Sequence, residues 1–194
     1  SITLNIEMEE EVQKLWTLSK ADRIQNADYA IGVELTNLYS LMKDDPSSIT
    51  ENFEDLLLAL IVINKGQISI KNAHLIALCC IFYYKRQTPP NYWKLIPVLT
   101  EEIKKLRRPS IYILGLLSKC LCDGFKSQLP TPILYLLNSN DETLFPLICQ
   151  CFRRIMKGTG TFLIQLIPEI YGFIFAGSSS ANELIRVESV KTIP

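Results

Sequence analysis

Cysteines are the residues of this sequence best suited to metal binding or nucleophilic chemistry, and there are six of them. They occur as an adjacent pair, Cys79 and Cys80, and as two Cys-x-Cys pairs at 120/122 and 149/151. Residues i and i+2 of a helix lie about 200° apart around its axis, so neither Cys-x-Cys pair converges on one ion. The spacing also differs from the Cys-x-x-Cys of zinc sites. The pattern therefore predicts buried free thiols, and no metal or other cofactor.

The remaining reactive residue types do not assemble a catalytic group. His74 is the only histidine, so no metal site with two histidines can form. Asp44–Asp45 and Glu101–Glu102 are adjacent carboxylates, and helical neighbours point about 100° apart, which is poor geometry for sharing a proton or a metal. The glycines of "KGTGTF" (157–162) lack the GK[ST] of a P-loop and indicate a helix end followed by a cap. We predict that the chain is not an enzyme.

One catalytic alternative stays open, a helical-repeat enzyme that acts on nucleic acid. Such an enzyme would need an acidic residue in a basic cleft. Asp123, which lies between Lys119 and Lys126 in the sequence, is the only candidate.

Composition and charge narrow the class of protein. Apolar residues make up 48% and charged residues 21% of the 194 positions, with 20 basic and 20 acidic side chains. This composition is that of an ordinary globular protein, and zero net charge argues against a dedicated nucleic-acid or anionic-membrane protein. The longest aliphatic run, 56–63, is too short to span a bilayer, and no secretory signal is visible. We predict a cytoplasmic protein without a transmembrane segment, with peripheral association with membranes as an alternative.

Charge is distributed unevenly along the chain. Residues 1–84 contain 12 acidic and 6 basic side chains, a net charge of −6. Residues 85–157 contain 12 basic and 5 acidic side chains, a net charge of +7. The remaining residues, 158–194, contain 2 basic and 3 acidic side chains. Any anionic partner is therefore expected to bind the 85–157 region.

Helical periodicity covers nearly the whole chain, and strict two-residue alternation is absent, so we predict an all-α fold. The second helix places Ile24, Ala27, Ile31, Leu35, Leu38 and Met42 on one stripe. Asp22 is its predicted N-cap, Thr50 or Asn52 caps the third helix, and Gly66 ends it. The predicted helices lie at about 9–19, 22–42, 53–64, 69–86, 91–106, 108–125, 128–138, 142–157, 161–176 and from 180 to the end.

Prolines recur at a helical-repeat spacing. Pro97 lies in "KLIPVL" and Pro168 in the similar "QLIPEI", and Pro132 lies between them, at offsets of 35 and 36 residues. We predict that each follows a helix cap by five to seven residues, where the helix bends to accommodate it. The predicted caps are Asn91, Ser127 and Thr161. The prolines then mark the same position in a repeated pair of antiparallel helices, which is typical of an α-solenoid.

The segment 185–190, "IRVESV", matches residue by residue the second-helix signature of HEAT/armadillo-type repeats, and the pattern resembles that superfamily. Earlier second helices match more loosely, in the small residues Ala73, Ala77 and Gly115. The resemblance implies a right-handed α-solenoid of antiparallel helix pairs, with about four pairs in 50–194 and a divergent pair in 1–49, forming one domain. Because no polar capping repeat is visible at the end, we expect a fragment of a longer protein. An irregular helical bundle is the alternative.

Two sets of basic residues are the candidate partner-binding residues. The first set, Lys104, Lys105, Arg107 and Arg108 in "KKLRR", closes a proline-marked helix. The second set lies on second helices, which build the concave face of such solenoids: Lys119, Arg153, Arg154 and Arg186. The alternative interpretation of each set is solvated cations that complement helix dipoles.

We predict a non-enzymatic scaffold for protein–protein interaction, with an acidic peptide or an adaptor subunit as partner. "NYWKLIPVL" (91–99), a basic turn and "IYILGLLSKCL" (111–121) resemble adaptin trunks and adaptor-accessory proteins, which implies a role in membrane trafficking and protein transport. The alternative is a helical-repeat module that binds nucleic acid through 85–157. Tyr83, Tyr84, Tyr92 and Trp93 are predicted to pack between helix pairs, or alternatively to anchor a peptide.

Overall fold

The computed structural model confirms an all-helical chain, with no strand in the parts that it describes. The described residues are 2–20, 27–50, 52–88, 91–121, 125–159 and 165–193. The helices within these ranges are α1 (Ile2–Lys20), α2 (Ala27–Asp44), α3 (Phe53–Ile61), α4 (Ile70–Lys85), α5 (Leu95–Lys104), α6 (Arg108–Cys120), α7 (Pro130–Leu137), α8 (Phe145–Thr159), α9 (Ile167–Ser178) and α10 (Glu183–Thr192).

Capping side chains set some helix ends, and some of the predicted caps are wrong. Ser69 is the N-cap of α4, and its hydroxyl accepts a hydrogen bond from the Asn72 amide. The prediction that Asn91 caps α5 is wrong. Its side chain accepts a hydrogen bond from the Trp93 amide within a turn, and the helix begins only at Leu95. Ser127 likewise lies in a short 3₁₀ turn before α7. The predicted caps Asp22 and Thr161 lie outside the described residues.

Other predicted boundaries are wrong by several residues. The first helix begins at Ile2 rather than at 9, α6 ends at Cys120 rather than near 125, and α9 begins at Ile167 rather than at 161. The helix predicted over 53–64 ends at Ile61. Asn64 and Lys65 both have φ of 52°, so the backbone has left the helical conformation before Gly66, whose φ is 77°.

Lys65 offers a stability test of this turn. Left-handed φ values strain an L-residue by about 1 kcal/mol, and glycine is free of that strain. The Lys65 side chain is exposed, so its removal costs little packing. We expect Lys65→Gly to raise the free energy of unfolding by about 0.5 kcal/mol or more, measured by urea denaturation. Lys65→Ala retains the strain and should give no gain, so an equal gain from both substitutions would contradict this explanation.

The three periodic prolines lie in first helical turns. Pro97 and Pro132 are the third residues of α5 and α7, and Pro168 is the second residue of α9. Amides of the first turn have no acceptor within the helix, so proline loses no hydrogen bond there. The expectation of a helix bent around an interior proline is therefore wrong, because each of these helices starts later than predicted.

The residues form two compact units, Ser1–Val98 and Leu99–Pro194, with the boundary inside α5. In the amino-terminal unit, α1 packs on α2 and α3, and α4 packs on the same two helices. The predicted stripe of α2 is buried from Ala27 to Met42, whereas Ile24 lies outside the described residues. Asp28 joins the first turns of α2 and α4, since its carboxylate accepts hydrogen bonds from the Ser69 amide and the Asn72 side chain.

In the carboxyl-terminal unit, α6 and α8 pack closely and run parallel. Contacts advance together along both helices. Arg108 Nη1 donates to the Thr143 carbonyl just before α8, Gly115 lies against Cys151, and Lys119 lies against Gly158. The approach is close, because a Cβ added to Gly115 would lie 3.0 Å from Cys151 Cα.

The last three helices form a second layer of contacts within the carboxyl-terminal unit. α9 runs antiparallel to α8, since Gly177 near the end of α9 lies against Phe145 at the start of α8, whereas Tyr171 near the start of α9 lines a cavity with Lys157 near the end of α8. Phe173 stacks on Phe145 and meets Phe152 edge to face. α10 packs on both α8 and α9, and Gly177 near the end of α9 lies against Ser189 of α10. The core here is formed by Phe145, Phe152, Ile148, Ile155, Ile170, Ile174 and Ile185, and Phe173 is half-buried at its edge.

Candidate partner-binding surfaces

We define the turn cluster as Lys104, Lys105, Arg107 and Arg108. Most of its cations pair with acidic side chains of α5. Lys104 Nζ lies 2.7 Å from Glu101 Oε1, and Lys105 Nζ lies 3.4 Å from Glu102 Oε1. Hydrogen bonding to Lys104 lowers the pKa of Glu101, and the same bond raises the pKa of Lys104. In both pairs the two residues are three positions apart in the sequence, the spacing of neighbours on a helix surface.

Glu102 is the acidic centre of the turn cluster. Its residue is only 4% exposed, and its Oε2 lies 3.2 Å from Arg107 Nη1, without hydrogen-bond geometry. Arg108 extends away from it and donates to the Thr143 carbonyl at 3.4 Å. Two acidic side chains face three of the four cations, so the cluster keeps a formal charge of +2, but only Arg108 has no acidic partner within it.

A second group of cations has far fewer acidic neighbours. We define the second-helix basic surface as Lys119, Arg153, Arg154, Lys157 and Lys191. Lys119 and Lys157 are exposed, and neither forms an ion pair with a residue that the structure describes. Their backbones are adjacent, since a Cβ added to Gly158 would lie 2.7 Å from Lys119 Cα. Two like charges held close together favour an anionic partner.

The two arginines of this surface are held in place by neighbouring helices. The Arg154 guanidinium lies 4.8 Å from the centre of the Tyr112 ring on α6, within cation–π range. Arg153 Nη1 donates to Thr192 Oγ1 at 2.7 Å and lies 3.3 Å from Glu188 Oε2, both on α10. The sequence offered no signal for these pairings, because the partners are 35 or more residues apart.

Arg186 does not belong to this surface. It is in the first turn of α10, and its Nη1 donates to the carbonyls of Ser180 and Ala181. Lys191, in the last turn of the same helix, was not predicted from the sequence as a binding residue. It pairs with Glu188 at 3.2 Å. The structure thus brings together Lys119, Arg153 and Arg154 with two further lysines, and it places Arg186 elsewhere on α10.

A cavity of about 330 Å³ opens in the carboxyl-terminal unit beside the second-helix basic surface. Cationic and apolar side chains both line it. The lining includes Arg153, Met156, Lys157, Tyr171, Lys191 and Thr192.

The aromatic cluster belongs to the amino-terminal unit, and most of it is packed. Tyr83 and Tyr84 meet edge to face, and Tyr84 lies 5.3 Å from Tyr92 between ring centres. Tyr84 is fully buried, and desolvation raises the pKa of its hydroxyl, which donates to Glu54. These three tyrosines pack against neighbouring rings, with Tyr83 also stacked on Phe53. Trp93 differs, because 76% of its surface is exposed.

The amino-terminal unit contains a carboxyl pair, Glu11 and Glu34, that was not predicted from the sequence. Glu11 of α1 is only 4% exposed, and desolvation raises its pKa to about 8, with the hydrogen bond to Glu34 and the Glu34 charge adding to the shift. Lys14, 4.0 Å away, acts in the opposite direction. Glu11 shares the helical face of Met8 and Leu15, both buried, so the spacing could have revealed it.

The described thiols have no disulfide partners, and most are buried. Burial raises the pKa of Cys79 and of Cys151 to about 12. Cys149 points toward Thr192 on α10 whereas Cys151 contacts Gly115 on α6, as the angular spacing predicts. Within the described ranges, no three or more metal-ligating side chains cluster. Cys122 and Asp123, the residue of the catalytic alternative, lie outside those ranges.

The fold and these surfaces define the class of protein: an all-helical chain with a cation-rich surface in its carboxyl-terminal unit. Comparison with protein-family models, with curated proteins and with solved structures found no match. Among the described helices, none has both the length and the apolar character needed to cross a bilayer.

Proposed function

We propose that this chain is a non-enzymatic helical-repeat scaffold for protein–protein interaction, built as a right-handed α-solenoid of HEAT/armadillo type. The parallel packing of α6 and α8 is the observation that supports it. Arg108 meets Thr143 at an offset of 35 residues, and Gly115 meets Cys151 at an offset of 36. The periodic prolines have the same two offsets. The third contact between these helices, Lys119 with Gly158, has an offset of 39 residues. Equivalent helices of successive repeats pack in parallel at one repeat length, so the two offsets that the contacts share with the prolines favour a solenoid.

The second-helix basic surface is the proposed binding surface, and an acidic segment of a protein partner is its proposed ligand. Solenoids bind through extended surfaces that successive repeats share, and this surface takes its residues from α6, α8 and α10. The turn cluster is a weaker candidate, because Glu101 and Glu102 already pair with three of its four cations. The resemblance of 91–121 to adaptin trunks and adaptor-accessory proteins supports a cytoplasmic partner in membrane trafficking, such as an adaptor subunit.

The second candidate function is nucleic-acid binding through the 85–157 region. Lys119 lies against Gly158, which follows Lys157 in the chain, and Arg154 precedes Lys157 by one helical turn. This grouping favours the second function, because neighbouring cations of this kind pair with phosphates. The two functions differ in their salt dependence. Affinity for an oligonucleotide should fall steeply between about 50 and 200 mM salt if phosphates are the ligand.

Two matched double substitutions test the proposed binding surface. We expect Lys119→Glu/Lys157→Glu to abolish capture of a protein partner from lysate, because each reversal places a carboxylate against an acidic ligand. Lys104→Glu/Lys105→Glu changes the net charge equally within the turn cluster and should retain the partner. Circular dichroism confirms folding of both variants.

Two outcomes would contradict the proposal. Equal capture by the wild-type chain and by Lys119→Glu/Lys157→Glu would exclude the second-helix basic surface. If no protein were recovered, while a fluorescent single-stranded oligonucleotide bound with a steep salt dependence, the nucleic-acid function would replace the scaffold.

A further inference from the structure

We propose that the cavity at the carboxyl-terminal ends of α8 and α10 is a specificity pocket for a partner peptide, taking an acidic side chain with an apolar neighbour. This inference rests on the proposed scaffold function and names the chemistry of its ligand. Arg153, Lys157 and Lys191 line the cavity together with Met156 and Tyr171.

The cavity has more positive charge than its own residues neutralise. Glu188 is the carboxylate beside it, and it pairs with both Arg153, at 3.3 Å, and Lys191, at 3.2 Å. Lys157 is exposed and pairs with no residue that the structure describes. Three cations against one carboxylate give these side chains a formal charge of +2, which the negative carboxyl-terminal ends of α8 and α10 offset in part. An acidic ligand would compensate the remainder.

Helix dipoles account for only part of this charge. Lys157 and Lys191 are the basic residues in the last turns of α8 and α10, where cations are stabilised in any case. Arg153 lies six residues before the end of α8, outside that last turn. Arg153 is instead held beside the cavity by its contacts with Thr192 and Glu188 on α10.

Arg153 is also held in a fixed orientation. Its Nη1 donates to Thr192 Oγ1 at 2.7 Å, and Thr192 itself is 4% exposed. Glu188 lies beside the same nitrogen. A guanidinium has five N–H donors, so these contacts orient the group and leave donors for a ligand carboxylate. Such an arrangement lowers the entropic cost of binding.

The size and the lining favour a peptide side chain over other anionic ligands. A volume of about 330 Å³ accommodates one or two side chains. Met156 and Tyr171 give the cavity apolar walls, which an aliphatic or aromatic neighbour of the acidic residue would contact. A phosphate backbone binds along a continuous groove of cations, and a membrane surface is flat, so neither fits a concave, partly apolar cavity as well.

The test uses fluorescence polarisation with the full chain and labelled peptides of about ten residues, each with one glutamate beside leucine or tyrosine. Glutamine counterparts differ only in charge. We expect glutamate peptides to bind, and their glutamine counterparts to bind about tenfold or more weakly. Lys157→Met should weaken glutamate-peptide binding to a similar extent, and Arg153→Lys should weaken it while keeping the charge, because lysine lacks the guanidinium fork.

Lys43→Met is the matched control. Lys43 is an exposed lysine in the last turn of α2, so a purely dipole-complementing role would make both substitutions equal in effect. We expect Lys43→Met to leave peptide affinity unchanged.

Three outcomes would overturn the pocket assignment. These are equal affinity for glutamate and glutamine peptides, equal loss from Lys157→Met and Lys43→Met, and Lys157-dependent binding of anionic vesicles or of an oligonucleotide in place of peptides. Failure of the pocket remains distinguishable from failure of the scaffold. If a captured protein is retained by Lys157→Met and Arg153→Lys yet lost from Lys119→Glu/Lys157→Glu, the scaffold stands and the pocket does not.

Discussion

Gly158→Ala is expected to destabilise the carboxyl-terminal unit by about 2–3 kcal/mol, the cost of overpacking a close helix contact. A Cβ at this position would lie 2.3 Å from the Ser118 carbonyl oxygen and 2.7 Å from Lys119 Cα. Both are backbone atoms, so no side-chain rotation relieves the clash, and α6 and α8 must move apart. The measurement is the free energy of unfolding from urea denaturation, with the midpoint temperature as a second readout.

Gly172→Ala is the matched control for this prediction. Gly172 lies inside α9, and an added Cβ there would have no neighbour within 4 Å. Alanine is favoured over glycine in a helix interior, so this substitution should stabilise the chain by about 0.5–1 kcal/mol. Opposite signs for the two substitutions would establish that the α6–α8 contact, and not helix propensity, decides the result. A neutral or stabilising Gly158→Ala would show that the two helices can separate freely, and would weaken the case for stacked repeats.

Glu11→Gln is expected to remove most of the pH dependence of stability between pH 5 and 8. Burial and Glu34 raise the pKa of Glu11 from 4.5 to about 8 in the folded chain. The folded state therefore binds a proton that the unfolded state has already released, and stability falls as the pH rises from about 4.5 to 8. We expect the wild-type chain to lose about 2 kcal/mol or more over this interval.

Glutamine has the shape of a protonated glutamate and releases no proton, so the variant should be the more stable chain at pH 8 and nearly equal to wild type at pH 5. Glu9→Gln, at an exposed position of the same helix, is the control and should retain the wild-type profile. Parallel profiles for wild type and Glu11→Gln would mean that the carboxyl pair opens to water without cost.

Local sequence patterns predicted much of the helical structure, because their causes lie within one or two turns. The stripe from Ala27 to Met42 is buried as its spacing indicated, and α4 spans Ile70–Lys85 where a helix over 69–86 was predicted. Local patterns failed where the same few residues can form either a turn or the start of a helix. Asn91 has the chemistry of a cap, yet it closes a turn, and α5 starts at Leu95.

The candidate site was predicted less well than the helices. The turn cluster is the most basic run in the sequence, but three of its four cations form ion pairs with Glu101 or Glu102. The three-residue spacing of Lys104 from Glu101, and of Lys105 from Glu102, could have predicted this pairing from the sequence. The cavity was not visible, since Arg153, Tyr171 and Lys191 come from three helices.

The sequence by itself determined that the chain is helical, where most helices lie, and that its prolines repeat every 35 or 36 residues. These properties depend on the spacing of side chains along one helix, which the order of residues specifies directly. Only the tertiary structure decided that Arg153 meets Glu188, that Glu11 meets Glu34, and that Gly158 lies against Lys119. Which faces of two helices meet depends on the packing of many side chains at once, and no spacing along a single helix contains that information.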